Sequence, residues 1–140
     1  MPVPPEYERA SSKFYEFLVA ARDVAELWST HVSYTMVQGV MQTFRSRMTI
    51  QQAIEFANLL PICLRALFVT DWDTSNPIKS FTTREEMTME VQSLRKEHNF
   101  APEMAIKYVA IALRSQVDNK KFDEFLSKLQ VGAVDFWRID

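Results

Sequence analysis

The residues best suited to chemistry in this sequence include a short acidic motif, Asp71-Trp72-Asp73. Its carboxylates could hold a divalent cation, because calcium and magnesium prefer oxygen ligands. They could equally cap the turn that follows while Trp72 packs on the core. We favour the structural role for this motif, and we predict no bound metal and no cofactor.

Two histidines and one cysteine are the other side chains that could serve as metal ligands. A zinc site needs three or four His, Cys or carboxylate ligands, and neither His31 nor His98 has a second histidine nearby. Cys63 lies in an apolar run, where we favour a buried, inert thiol over a reactive one. No serine lies in a nucleophile-elbow pattern, so we single out no catalytic residue.

The balance of charge argues against several classes of partner. The chain has 16 basic and 18 acidic residues and a net charge of −2, without a basic arm to neutralise nucleic-acid phosphates. The longest uncharged stretch, residues 29–44, is too short and too polar to span a membrane. The N-terminus lacks a signal-peptide pattern, so we expect a cytoplasmic protein that binds neither nucleic acid nor membrane.

Helical periodicity runs through the chain, and no segment alternates with period two for long enough to form a strand. This pattern predicts an all-α fold. We expect an extended, proline-rich arm over residues 1–11, a first helix over about 12–28 and a later helix over about 82–98. The residues at positions 71–81 have the composition of a linker between two helical segments.

Capping patterns indicate where several of the shorter helices begin. Thr49 is followed three residues later by Gln52, and Thr82 by Glu85, which are capping boxes. Asp118 is a third side chain suited to capping a helix. We therefore predict that short helices start after Thr49 and Asp118, and a longer one after Thr82.

The sequence repeats itself at a constant offset of 69, with residues 37–68 matching residues 106–137. Apolar positions and caps coincide in the two segments: Phe44 with Leu113, Thr49 with Asp118, Phe56 with Phe125, and Phe68 with Trp137. Periodicity alone does not align caps as well as faces. The sequence therefore predicts two tandem, pseudo-symmetric four-helix units, over 12–70 and 82–140, packed as one compact helical domain.

The repeat also aligns two pairs of opposite charges. Arg45 and Glu55 in the first unit fall on Arg114 and Glu124 in the second. Each pair joins the end of one helix to the next short helix. We predict that both are ion pairs that hold helix to helix.

The first unit has an extra apolar stripe that the second unit lacks. It consists of Ile50, Ile54, Leu59, Cys63 and Ala66, whose counterparts are four polar residues and a glycine. The stripe could pack against the second unit or against the N-terminal arm. It could also be a self-association surface, because large exposed apolar patches usually mark interfaces.

The segment from Leu60 to Phe68, followed by Asp71-Trp72-Asp73, resembles the first-copy signature of a bacterial family, domain of unknown function 2267. The duplicated layout over about residues 12–138 is similar as well. Asp71 stands where a glycine is usual in that pattern, and Gln130 replaces a proline of the second copy. The resemblance implies a helical fold and supplies no activity.

Two classes of function remain open. The first is a non-catalytic protein-interaction or structural module that forms a homodimer or binds an unidentified protein. Its interface residues would be Ile50, Ile54, Leu59 and Ala66.

The second class is a small-molecule binder for an anionic ligand, or an enzyme, with its site between the two units. Arg65 would then anchor the anion, with Trp72, Asp71 and His31 nearby. The counterpart of Arg65 in the second unit is Val134, so this cation is specific to one half. We favour the interaction module, because the sequence shows no catalytic constellation.

Overall fold

The chain is helical over most of residues 3–140, the part that a computed structural model describes. These residues form nine α-helices and one 3-10 turn, without a β-strand, which confirms the predicted all-α class. The helices are α1 (Pro5–Glu8), α2 (Ala10–Val24), α3 (Thr30–Arg45), α4 (Ile50–Ala57), α5 (Ile62–Val69), α6 (Arg84–Ser93), α7 (Ala105–Arg114), α8 (Asn119–Leu126) and α9 (Ala133–Phe136). The 3-10 turn spans Lys96–His98.

Side chains cap two of the short helices where the sequence predicts them. At the start of α4, the Thr49 side chain accepts a hydrogen bond from the backbone N–H of Gln52, and the Gln52 side chain accepts one from Thr49. At the start of α8, Asp118 accepts from the backbone N–H of Lys121. These bonds satisfy backbone donors that have no partner within the helix.

The predicted capping box of Thr82 and Glu85 is wrong by one residue. Thr83 caps α6, and its side chain accepts a hydrogen bond from the backbone N–H of Glu86. Both threonines are followed by a glutamate three positions later, so the sequence pattern does not choose between them.

The predicted extended arm over residues 1–11 is wrong from Pro5 onward, because α1 and α2 are both helical there. Pro5 occupies the first turn of α1, where its missing N–H is not needed. Glu6 and Glu8 lie in the same turn and favour the positive end of the helix dipole. Pro2, the first proline of the predicted arm, lies outside the described residues.

Helix α6 ends at Ser93, earlier than the sequence predicts. Arg95 has a φ of 50°, a left-handed conformation that a continuing helix cannot contain. The side-chain amide of Asn99 then donates to the carbonyl oxygens of Val91, at 2.8 Å, and Leu94, at 2.7 Å. Asn99 therefore satisfies carbonyls that the end of the helix leaves free.

The four longest helices, α2, α3, α6 and α7, form the centre of the fold. Helix α3 lies against the other three, and α2 also lies against α7. One hydrophobic core connects all of them. Its aromatic cluster joins the two halves of the chain and consists of Phe44, Phe56, Phe68, Phe81, Phe122, Phe125, Phe136 and Trp137.

At Gly39, α3 lies close against α6. A Cβ atom at this position would lie 2.7 Å from the carbonyl oxygen of Val91 and 3.0 Å from its Cγ1. We expect Gly39→Ala to lower the free energy of unfolding by about 1–2 kcal/mol, because one helix must shift to admit the methyl group. Urea unfolding followed by circular dichroism measures this change. An unaltered unfolding midpoint would show that the two helices are not held this close.

The two predicted ion pairs, Arg45–Glu55 and Arg114–Glu124, are wrong. Arg45 donates to backbone carbonyls at the end of α5 and just after it, and the guanidinium of Arg114 lies 2.9 Å from the carboxylate of Asp123. Glu55 and Glu124 are both exposed. Both arginines donate to backbone carbonyls at the ends of α5 and α9, and these carbonyls have no partner within those helices.

A different ion pair ties the turn after α3 to α6. Arg47, whose side chain is 1% exposed, makes two hydrogen bonds of 2.8 Å to the carboxylate of Glu90, which is 32% exposed. Arg47 also donates to the carbonyl oxygens of Thr43 and Ser80. The guanidinium is therefore surrounded by acceptors, and Arg47 lowers the pKa of Glu90 by donating hydrogen bonds to its charged form.

None of the helices within residues 3–140 is both long and apolar enough to cross a membrane. The longest, α3, has 16 residues, whereas a bilayer needs about 20. The polar side chains buried on α3, such as Ser33 and Gln38, belong to the protein interior.

Candidate functional site

A cleft of about 840 Å³ separates the C-terminal end of α3 from the loop between α5 and α6. One wall comes from residues 42–50, which include the end of α3 and the start of α4. The other wall comes from residues 71–79 of the loop. Its volume falls in the range of about 300–1,000 Å³ that is usual for ligand sites.

Arg45 lies under this cleft and fixes the start of the loop. Its guanidinium donates to the carbonyl oxygens of Phe68, Thr70 and Asp71 at 3.0, 2.6 and 3.2 Å. Phe68 lies in the last turn of α5 and the other two residues follow it, so these carbonyls have no partner within that helix. Burial lowers the pKa of Arg45, and the nearby carboxylate of Asp71 opposes that shift. Arg45 stays charged despite this shift, and the dipoles of three carbonyl groups stabilise its charge.

Trp72 is held against the protein by the same arginine. The guanidinium carbon of Arg45 lies 5.6 Å from the centre of the Trp72 ring, the geometry of a cation–π contact. The tryptophan is partly buried against the core and lines the cleft. Asp71, just before it, has a φ of 55° and an exposed side chain. The loop therefore presents an aromatic ring and a carboxylate in a fixed arrangement.

Asp73 continues the loop as the centre of a tight turn. Its carboxylate accepts hydrogen bonds from the Ser75 hydroxyl at 2.6 Å and from the Ser75 backbone N–H at 3.0 Å. These bonds lower the pKa of Asp73, the hydroxyl making the larger contribution. This is the structural role that we favoured for the acidic motif. Within residues 3–140, no three His, Cys, Asp or Glu side chains are grouped to hold a metal ion.

Lys79 closes the far end of the cleft. Its backbone N–H donates to the carbonyl oxygen of Ser46 at 2.9 Å, which joins the loop to the end of α3. Its ammonium group lies 3.6 Å from the carboxylate of Glu90, and Glu90 does not line the cleft. The positive charge of Lys79 is therefore directed partly towards α6.

A comparison with protein families matches residues 14–136 to a family described as an uncharacterized conserved protein, DUF2267. The chain belongs to this family. The match confirms the resemblance carried by the segment from Leu60 to Asp73, and it includes every residue that lines the cleft. No curated protein matches the chain. The family description names no activity, so the function of this DUF2267 protein has to be argued from its surfaces.

The four predicted ligand-binding residues of this DUF2267 chain do not all meet. Trp72 and Asp71 line the cleft, whereas Arg65 and His31 are not among its lining residues. The Arg65 side chain donates to the carbonyl oxygen of Leu60 at 2.8 Å, and His31 is exposed in the first turn of α3.

The arginine beside the cleft is Arg45, which the sequence places in an ion pair instead. A signal for its role does exist: Arg45 and Arg114 occupy the last positions of α3 and α7, 69 residues apart, which is the offset predicted from the sequence. Arg114 donates to the carbonyl oxygen of Trp137, as Arg45 does to that of Phe68. An arginine that ends both long helices is suited to closing the last helix of each half.

The extra apolar stripe of the DUF2267 chain is divided by the fold. Ile50 and Ile54 are 54% and 52% exposed on the outer side of α4, and Ala66 is exposed on α5. Leu59 is partly buried against the core. The Cys63 thiol is also partly buried and lies 3.5 Å from the carbonyl oxygen of Ala10, so the start of α2 covers that part. We call Ile50 and Ile54 the α4 face.

Proposed function

We propose that this chain is a non-catalytic protein-interaction module that docks a partner through the α4 face, and that its simplest partner is a second copy of the chain. The observation that carries this proposal is the exposure of two isoleucines one helical turn apart on a well-anchored helix. The opposite side of α4 buries Ala53 and Phe56 completely. A rigid helix with apolar residues on both sides is suited to burying its outer side against another protein.

The neighbouring cleft extends the α4 face. Ile50 belongs to both, and Ile78, which is 53% exposed, lines the cleft from the opposite wall. An exposed apolar residue alone carries little meaning, but several in one continuous area mark an interface. This continuity favours a docking surface over an isolated pocket.

The alternative function, a site for an anionic small molecule, has less support from the geometry. The N–H groups of Arg45 that would hold an anion donate to backbone carbonyls instead. Arg65 is engaged with Leu60, and the exposed charges of the loop include the carboxylates of Asp71 and Asp73. An anion entering the cleft would therefore meet two carboxylates, and the exposed cation of the lining, Lys79, lies beside the carboxylate of Glu90.

We also propose that the chain consists of two tandem copies of one four-helix unit. Support comes from helix ends at the offset of 69: α4 and α8 begin and end at matching positions, and α3 and α7 end at matching positions. The arginine bonds from α3 to Phe68 and from α7 to Trp137 match as well. On α8 the positions of Ile50 and Ile54 are Asn119 and Asp123, so the α4 face is a feature of the first unit alone.

Replacing Ile54 with aspartate tests the proposed interface. We expect the native chain to form a dimer and Ile54→Asp to weaken it by about 30-fold, because a buried apolar anchor contributes about 2 kcal/mol and a charge cannot be buried there unpaired. Native mass spectrometry over a range of protein concentrations measures the dimer fraction. Thermal unfolding should be unchanged relative to the native monomer, since Ile54 is exposed in the single chain.

The matched control is Met89→Asp, which introduces the same charge at an apolar residue of α6 that is 68% exposed. This variant should dimerise like the native chain. A native chain that remains a monomer at all concentrations, or equal weakening by both variants, would contradict self-association through the α4 face.

A further inference from the structure

The charges that a partner can reach in the cleft are mainly negative. Asp71 and Asp73 are exposed, and the Ser75 bonds favour the ionised form of Asp73. Arg45 is 5% exposed and directs its donors to backbone carbonyls, whereas Lys79 lies beside Glu90. The cleft thus offers the carboxylate oxygens of two exposed aspartates to a donor.

The lining also contains five apolar residues that suit the stem of a long side chain: Met48, Ile50, Trp72, Pro77 and Ile78. Trp72 and Ile78 belong to the wall formed by the loop, and Ile50 belongs to the opposite wall. Because Arg45 and the core hold Trp72 in place, its ring is a fixed surface rather than a mobile one. A side chain with an apolar stem and a cationic head matches this combination.

We propose that the cleft binds an arginine side chain from an extended segment of a partner protein. The methylene stem would pack on Trp72 and Ile50, and the planar guanidinium would donate to the carboxylates of Asp71 and Asp73. Arginine fits better than lysine, because its flat guanidinium stacks on aromatic rings and forms paired hydrogen bonds with carboxylates. The proposal goes beyond self-association, since the cleft shares Ile50 with the α4 face but is not lined by Ile54, the residue that tests the dimer.

The test is a peptide titration of the full chain, monitored by NMR through the indole N–H signals of its three tryptophans. The probe is the blocked peptide Gly-Leu-Arg-Leu-Gly, and the matched control replaces its arginine with glutamate. The Trp72→Phe variant assigns one of the three signals to Trp72. We expect the arginine peptide to shift this signal in a saturable way, with the signals of Trp28 and Trp137 unmoved, and the glutamate peptide to shift none.

Asp71→Asn is the decisive variant. It keeps the size of the side chain, asparagine also tolerates a positive φ, and the hydrogen bond from Arg45 goes to the backbone of this residue. We expect the variant to weaken peptide binding by about 10-fold, the loss of one charge-assisted hydrogen bond. Glu85→Gln, which removes an exposed carboxylate from α6, should leave binding unchanged.

Each other outcome overturns the proposal in a distinct way. Equal shifts with the arginine and glutamate peptides would show that charge does not select the partner. No shift at about 5 mM peptide would show that the cleft does not bind the arginine peptide with a measurable affinity. Free arginine amide binding as tightly as the peptide would assign the site to a small molecule instead. Ile54→Asp leaves the cleft intact, so a failure here is distinguishable from a failure of the dimer.

Discussion

Replacing Phe56 with alanine should lower the free energy of unfolding by about 3–5 kcal/mol, the largest single loss that we expect in this fold. Phe56 is fully buried, and its ring centre lies 4.8 Å from that of Phe44 and 5.0 Å from that of Phe68. It also contacts Phe122 and Trp137 from the second half of the chain. Truncation would leave a cavity between helices that cannot all move inward together. Chemical denaturation, monitored by circular dichroism, measures the change.

The proposed repeat supplies a matched control for this variant. Phe125 is the counterpart of Phe56 at the offset of 69, but it is only partly buried, with its ring centre 6.1 Å from that of Phe56. Phe125→Ala should therefore be less harmful, with a loss of about 1–3 kcal/mol. Equal losses for the two variants would show that Phe56 is not the centre of the aromatic cluster.

The helical parts of the fold are predictable where periodicity and capping agree. Thr49 with Gln52, and Asp118, mark helix starts that the structure confirms, because a cap side chain and its backbone donor are close in sequence. The helix ends are harder. Arg95 ends α6 by adopting a left-handed conformation, and the carbonyls are then satisfied by Asn99 from beyond the turn. No local pattern announces such a contact.

The site could be predicted only in part, because its motif is local in sequence whereas its arginine reaches distant groups. The residues from Asp71 to Asp73 stand out because an aromatic residue between two acids in a linker is unusual. Arg45 does not, since its partners, the carbonyls of Phe68 and Thr70, are more than 20 residues away. Every residue has a backbone carbonyl, so the sequence does not show which carbonyls an arginine will reach. A prediction based on opposite charges therefore favours the wrong partner, Glu55. The long-range positions of backbone groups need the tertiary fold.

In both halves of the chain, an arginine side chain satisfies backbone carbonyls at the end of a short helix. Arg45 donates to the carbonyl of Phe68 in the last turn of α5, and Arg114 donates to the carbonyl of Trp137 just after α9. Arg84, at the start of α6, donates to the carbonyls of Asp135 and Phe136. Short terminal helices leave many free carbonyls relative to their length, and a planar cation with several donors can satisfy more than one of them.

The second large effect that we expect comes from the pair between Arg47 and Glu90. Glu90→Ala should lower the free energy of unfolding by about 2–3 kcal/mol, because it leaves a buried guanidinium without its carboxylate. The value lies below that of a fully buried pair, since water reaches the Glu90 side chain, which is 32% exposed. Removing both partners in Arg47→Met with Glu90→Ala should recover part of the loss. A double variant no more stable than Glu90→Ala would contradict the idea that the unpaired charge causes the loss.

The same pair predicts how stability depends on pH. The hydrogen bonds from Arg47 lower the pKa of Glu90 in the folded chain below its value in the unfolded chain. The folded state therefore binds this proton less readily, and the pair stabilises the fold fully only above about pH 4.3, the ordinary glutamate pKa. The stability difference between the native chain and Glu90→Ala should shrink as the pH falls through the lowered pKa. Unfolding measurements between about pH 7 and pH 3 test this, and a difference that stays constant down to the lower limit would show that the charge of Glu90 contributes nothing.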